Sequence, residues 1–131
     1  MKISLFTVSL LPFRHPNLLI KAIAGIVIWS GLIPLGILHL WTWMFQEIYF
    51  SLLDIPKVPL RDHLTFDRGS LKKLSLGQKL SCAYCDYANG TISWMKAVIN
   101  RTEVYSCAIR HRTTILGQEH QKDYLPYEQF Q

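Results

Sequence analysis

Apolar positions are concentrated in the first third of the chain. Residues 22–45 contain no formally charged side chain. As a helix, those 24 residues are about 36 Å long at 1.5 Å per residue. The hydrocarbon core of a bilayer is about 30 Å thick, so this run predicts a transmembrane helix, which we place over residues 18–50.

Several residues in this span are expected to contact the membrane or a partner protein. A proline without an N–H predicts a kink, a glycine allows close helix approach, and tryptophans at one end are typical of a membrane surface. A histidine at membrane depth is a candidate haem ligand or partner contact, and the alternative, favoured by a tryptophan two residues away, is a neutral imidazole hydrogen-bonded near the interface. The residues are Gly31, Pro34, His39, Trp41 and Trp43.

The flanking segments differ in composition. Residues 1–17 mix apolar and basic side chains and predict an interfacial segment, with a signal peptide as the alternative. Residues 51–74 contain Pro56 and Pro59, which favour a connector over a helix. Residues 116–131 form a polar tail with a few aromatic side chains, which is expected either to fray or to dock on a partner.

Residues 75–115 predict a small helical domain. Ser75 and Gln78 match a capping box, so we expect a helix to start beside them. Asn89 and Gly90 are able to break that helix in two. Apolar residues recur every three or four positions and predict one buried face, made of Leu80, Tyr84, Tyr87, Ile92, Met95, Val98 and Ile99.

All three cysteines lie in this domain, in the pattern C-x2-C-x21-C-x3-H. Thiolate and imidazole ligands suit a tetrahedral zinc ion, and the helical segment between the two pairs can fold back so that they meet. The spacing therefore predicts a structural zinc site made by Cys82, Cys85, Cys107 and His111. Three alternatives stay open: an iron or iron–sulfur site, a redox-active dithiol at the first pair, and plain buried cysteines.

The stretch Cys82-Ala83-Tyr84-Cys85-Asp86-Tyr87-Ala88-Asn89-Gly90, with the later Cys107-Ala108-Ile109-Arg110-His111, resembles a group of small bacterial membrane proteins. These share a membrane segment, a CxYCxYANG stretch and a later C-x-I-[KR]-H. The resemblance covers about residues 49–111. It implies the architecture of a membrane helix and a Cys/His domain, and it implies no particular activity.

The distribution of charged residues bears on the membrane orientation and on the class of partner. From Asp54 onward there are 11 Lys and Arg against 8 Asp and Glu, too dilute an excess for nucleic-acid binding. Three basic residues flank the span on each side, so the positive-inside rule gives no orientation. Reduced thiols favour the cytoplasmic side of the inner membrane for the Cys/His domain.

These patterns together predict a mainly α protein: one transmembrane helix followed by a small metal-stapled helical domain. The function expected from them is that of an accessory or assembly subunit of a membrane complex. A redox protein with an iron–thiolate or dithiol site is the alternative. No nucleophile with a base and no phosphate-binding loop is recognisable, so we do not expect an independent enzyme.

Overall fold

The computed structural model describes residues 17–131 and two short strands near the N-terminus. The strands, β1 (Lys2–Ile3) and β2 (Val8–Ser9), pair antiparallel. The rest of the described chain is mainly helical, as the sequence predicts. The sequence predicts an interfacial segment over residues 1–17, with a signal peptide as the alternative. Apart from the two strands and Asn17, that segment lies outside the described residues.

A long apolar helix, Leu18–Phe50, begins the described fold. It consists of α1 (Leu18–Ser30), α2 (Leu32–Phe45) and a π-helical turn (Gln46–Phe50). Its 33 residues are long and apolar enough to cross a membrane, a property that a signal sequence near an N-terminus shares. Every described position of α1 is exposed except Gly25, which is partly buried, so residues 18–28 have no covering element within the described chain.

A one-residue interruption at Gly31 separates α1 from α2. The proline at position 34 has no N–H to offer to the carbonyl four residues earlier, which belongs to Ser30. The Gly31 N–H bonds to the carbonyl of Ile28, three residues earlier, at 3.2 Å, and the Ser30 hydroxyl donates to the carbonyl of Val27 at 2.7 Å. The sequence predicted a disturbance near Pro34, and the backbone changes three residues before it.

The third helix, α3 (Leu76–Ser106), is one continuous helix of 31 residues. Its start confirms the capping box, because Ser75 accepts from the Gln78 N–H and Gln78 reaches back to the Ser75 N–H. The helix also runs unbroken through Asn89 and Gly90, so the break considered there does not occur. The Asn89 amide donates to the Cys85 carbonyl at 2.9 Å, which fits the helix without ending it.

The two long helices run in the same direction. Gly31 of the apolar helix lies beside Tyr84, and His39, further along, contacts Tyr87 and Trp94. The connector makes this parallel arrangement possible, because it leaves the end of the apolar helix and returns along α3. It contains two 3-10 turns, Leu60–Asp62 and Asp67–Ser70, and its contacts with α3 run from the Arg101 end towards Asp86.

The apolar core lies where the apolar helix ends and the connector begins. Its fully or nearly fully buried members are Phe50, Ile55, Val58, Trp94 and Val98. The C-terminal segment, residues 107–131, contains 3-10 turns at Glu119–Asp123 and Tyr127–Phe130. An isolated parallel bridge joins Ile109 to Leu125, so the segment doubles back on itself.

Gly90 provides a test of the packing between α3 and the connector. A Cβ atom there would lie 2.6 Å from the His63 carbonyl oxygen and even closer to the Leu64 side chain. We expect Gly90→Ala to destabilise the fold by about 1–3 kcal/mol, measured by thermal unfolding in mild detergent.

Gly36→Ala is the matched control, because a Cβ atom at Gly36 would meet no atom within 4 Å. Alanine there should stabilise the helix by up to about 1 kcal/mol. Equal unfolding temperatures for the two variants would contradict the close passage of the connector over α3.

Candidate functional site

A polar seam joins α2 to α3, and its residues repeat at alternating spacings of three and four. On α2 and the turn after it, the seam consists of Leu35, His39, Thr42 and Gln46. On α3 it consists of Tyr84, Tyr87, Thr91, Trp94 and Val98. Side chains at such spacings share one face of a helix, and all of these residues are buried or partly buried.

His39 is the central residue of the seam. Its Nδ1 atom lies 2.9 Å from the Tyr87 hydroxyl, and its ring centroid is 5.4 Å from that of Trp94. The imidazole is therefore held from α3 by one hydrogen bond and one aromatic contact. The sequence offered His39 as a haem ligand or partner contact; the group that occupies Nδ1 in this chain is the Tyr87 hydroxyl.

The start of the seam is a close approach at Gly31. A Cβ atom on Gly31 would lie 2.9 Å from the Tyr84 hydroxyl oxygen, so a larger residue would require the Tyr84 side chain to shift. The Trp29 ring meets the Tyr84 ring edge-on, with centroids 5.4 Å apart. The sequence predicted that Gly31 admits another helix, and the helix that approaches it here is the chain's own α3.

The other end of the seam is fixed by the backbone of Val58. Its N–H donates to the Gln46 side-chain oxygen at 2.9 Å, and its carbonyl accepts from the Trp94 indole N–H, also at 2.9 Å. Buried polar groups destabilise a fold unless they are hydrogen-bonded. The Gln46 and Trp94 side chains both find their partner in the backbone of Val58. Val58 thus ties the apolar helix, the connector and α3 together.

Thr91 differs from the other polar residues of the seam in that its buried hydroxyl has no hydrogen-bond partner in the described part of the chain. The residue is 0% exposed, and among the described residues its hydroxyl is the buried side-chain polar atom that lacks a hydrogen-bond partner. It lies on the α3 face between Tyr87 and Trp94, the two residues whose rings contact His39. An unpaired buried hydroxyl costs about 1–3 kcal/mol, which makes this position unusual.

The cysteines and His111 do not come together within one chain. Cys82 and Cys85 lie one turn apart on α3, whereas Cys107 directly follows the end of that helix. The 22 residues from Cys85 to Cys107 correspond to about 33 Å of helix. Between residues 17 and 131 and in the two short strands, no group of three or more His, Cys, Asp or Glu side chains is placed to hold a metal.

An ion pair lies beside the first two cysteines. The guanidinium of Arg68, in the connector, donates to the carboxylate of Asp86 on α3. The Asp86 side chain is only 6% exposed and that of Arg68 is 48% exposed, so the carboxylate depends on this partner. The hydrogen bond and the charge of Asp86 raise the pKa of Arg68, with smaller contributions from Cys82 and Cys85.

A second polar cluster holds the C-terminal segment to the end of α3. Glu103 accepts from the Gln121 amide at 2.7 Å, and its other oxygen lies 2.9 Å from His120 Nε2. Burial raises the pKa of the Tyr124 phenol, which lies edge-on to the His120 ring. Backbone N–H groups of Glu119 and Gly117 lower the pKa of the exposed Glu119 carboxyl. The predicted tail is therefore docked on α3 in this chain.

The remaining predicted contact residues face outwards. Pro34, Trp41 and Trp43 are exposed, as contacts with lipid or a partner require, and that role stays a prediction. Sequence reasoning missed Thr42, Gln46 and Thr91. The signal that was available is the spacing of three and four residues from His39 through Thr42 to Gln46, which sets polar groups along one side of an apolar helix.

The chain matches no protein-family model, no curated protein and no solved structure. The resemblance to small bacterial membrane proteins therefore stays a prediction that rests on the cysteine motif.

The ion pair leads to a test by substitution. Arg68→Met leaves the buried Asp86 carboxylate without its partner. We expect a loss of about 1–2 kcal/mol, less than for a fully buried pair because Arg68 is half exposed.

Arg61→Met is the control, since Arg61 pairs with Asp62 at 3.6 Å and both side chains are largely exposed. Its loss should stay below about 0.5 kcal/mol. Thermal unfolding in detergent compares the two variants, and an Arg68 variant as stable as wild type would show that Asp86 does not need the guanidinium.

Proposed function

We propose that this chain is a membrane-anchored accessory or assembly subunit of a larger membrane complex. The observation that carries the proposal is the position of α3, a helix with charged residues that lies against the apolar helix over residues 29–45. A chain that crosses a bilayer with this arrangement has a side that lipid does not solvate well, and a partner protein would cover it.

The lengths support this argument. The uncovered start of the apolar helix, residues 18–28, is about 16 Å long, roughly half of a hydrocarbon core of about 30 Å. To span the core, the part of the helix that contacts α3 must also enter it. Middle residues of α3 then lie at membrane depth.

The outward side of α3 carries polar groups beside the exposed Ile92 and Ile99. Cys85, Asn89 and Lys96 are exposed, and Arg68 is half exposed beside Asp86. A charged residue at the centre of a bilayer costs at least about 2.5–3.5 kcal/mol, so such groups usually face protein or a water-filled cavity. The proposed partner is therefore a membrane protein that offers polar groups to this side of α3.

The proposed location is the inner membrane of a bacterium, with a single crossing and the Cys/His region in the cytoplasm. Free cysteines support the cytoplasmic side, because thiols outside would be exposed to oxidation. Labelling of the exposed Cys107 in intact spheroplasts by a membrane-impermeant maleimide would refute this orientation.

Photocrosslinking in the native membrane tests the partner. A benzophenone amino acid at Asn89, on the outward side of α3, should give a single crosslinked product of higher mass. The same probe at Ile26, which is 71% exposed on the uncovered part of the helix, should react with lipid and give no such product.

Two outcomes would contradict the proposal. Crosslinking of the Asn89 probe to lipid alone would mean that no protein covers α3. Equal protein crosslinking from both positions would mean that contact with the neighbour is not specific to α3.

A metal-binding protein is the second candidate. The exposure of Cys85, Cys107 and His111 favours a metal site shared between two copies of the chain. The first half of α3 offers two ligands and the segment after α3 offers two more, whereas a structural zinc ion takes four. A zinc site, or the alternative iron or iron–sulfur site, would therefore join two copies. The redox alternative that needs no second copy is a dithiol at Cys82 and Cys85.

Metal content and mass, measured on the same detergent-purified sample, test this candidate. A site between copies predicts that stoichiometric zinc accompanies the dimer and that Cys85→Ser removes both. Metal-free protein would refute it and leave the dithiol, which thiol titration then examines. A zinc-loaded monomer would contradict the separation of the two ligand pairs along α3.

A further inference from the structure

We propose that the groove between α3 and the C-terminal segment binds one membrane phospholipid with an anionic headgroup. The acyl chains lie along an apolar stretch of α3, and the phosphate lies in a basic cleft within residues 110–122. The inference depends on the helix Leu18–Phe50 crossing a membrane, and it does not depend on the accessory role.

The apolar part of the site is a groove of about 630 Å³ along the second half of α3. It is lined by Ile92, Met95 and Ile99, which share one side of the helix, and by Phe45 at the end of α2. Ile92 and Ile99 are 56% and 62% exposed, so apolar surface is open to a ligand. Ligand pockets are commonly about 300–1,000 Å³ and mostly apolar, and this groove has that size and lining.

The polar part of the site is a cleft of about 370 Å³ within the C-terminal segment. His111 and Gln118 line both the groove and the cleft, so the two cavities adjoin. Guanidinium, ammonium and hydroxyl groups are good donors to a phosphate. The side chains of the cleft that carry such groups are Arg110, Thr113, Thr114 and Lys122.

The charges of the cleft favour an anion. Lys122 is exposed and has no salt-bridge partner in the described part of the chain, and Arg110 comes only within 4.0 Å of the exposed Glu128. The cleft contains one acidic residue, Glu119, against these two cations. The carboxylates of Glu119 and of Glu103 in the groove already accept hydrogen bonds from the C-terminal segment.

The groove has the direction that a membrane lipid has. Because α3 runs parallel to the apolar helix, Ile92 lies deeper along the span than Ile99, and the cleft follows the end of α3. Phe45 lines the groove shortly after Trp41 and Trp43, and tryptophans at the end of a span are typical of a membrane surface. Basic pockets at that level recognise anionic headgroups. The acyl chains would therefore point into the hydrocarbon and the phosphate towards water.

Native mass spectrometry of the full chain in detergent measures lipid binding directly. The probes are dioleoyl phosphatidylglycerol and dioleoyl phosphatidylcholine, which have the same acyl chains and differ in the net charge of the headgroup. We expect one phosphatidylglycerol per chain, bound about fivefold more tightly than phosphatidylcholine or better, because cations near an anionic headgroup favour it. The sample contains no partner protein, so the result is independent of the crosslinking test of the accessory role.

Two pairs of variants separate the two parts of the site. Arg110→Gln combined with Lys122→Gln should abolish the preference for phosphatidylglycerol, whereas Arg61→Gln, in the connector and outside both cavities, should keep it. Ile99→Asn should weaken the binding of both lipids by about threefold or more, because apolar contact is lost. Val104→Asn is its control, since Val104 is 50% exposed on the same helix and lines neither cavity.

Any of three results would overturn the inference. Equal binding of the two lipids to the wild-type chain would mean that the headgroup charge is not recognised. Unchanged phosphatidylglycerol binding in either the double variant or Ile99→Asn would place the lipid elsewhere on the chain. Displacement of the lipid by an equal concentration of glycerol phosphate would mean that the ligand is a free phosphate ester.

Discussion

The fold depends on the pairing of polar side chains that project from one side of an otherwise apolar helix. His39 and Gln46 cannot be left unpaired against lipid or an apolar core without a cost of about 1–3 kcal/mol each. The Tyr87 hydroxyl is hydrogen-bonded to His39, and the Val58 N–H donates to Gln46. The α3 helix has to lie alongside the apolar helix for these contacts to form, and the connector has to return the whole length of the seam before α3 begins.

This requirement also explains why α3 is long and unbroken. The seam residues of α3 extend from Tyr84 to Val98. A break at Gly90 would take the second half of that set away from its partners. Gly90 instead lets the His63 carbonyl and the Leu64 side chain pass close to the helix. A consequence is that the two ligand pairs of the cysteine motif are held apart, one pair in the first half of α3 and the other after its end. The motif alone suggested one site.

Much of the fold follows from local patterns. The apolar run predicts the long helix, Ser75 and Gln78 predict the start of α3, and Pro34 predicts a disturbed backbone close to Gly31. These features depend on side chains a few residues apart. The buried face of α3 was predicted only in part: Tyr84, Tyr87 and Val98 are buried or partly buried, but Ile92 and Ile99 are 56% and 62% exposed. The face of α3 that turns inwards is the one that meets His39, about 50 residues away in the sequence. The pattern within α3 alone contains no information about that contact.

The central claim is that α3 packs in parallel against the apolar helix with His39 in the seam. Nuclear Overhauser measurements on the full chain in micelles test it most directly, because the ring centroids of His39 and Trp94 are 5.4 Å apart. The account predicts cross-peaks from the His39 ring protons to both the Trp94 indole and the Tyr87 ring. Their absence from a sample in which both helices are intact would show that the helices do not pack through this seam.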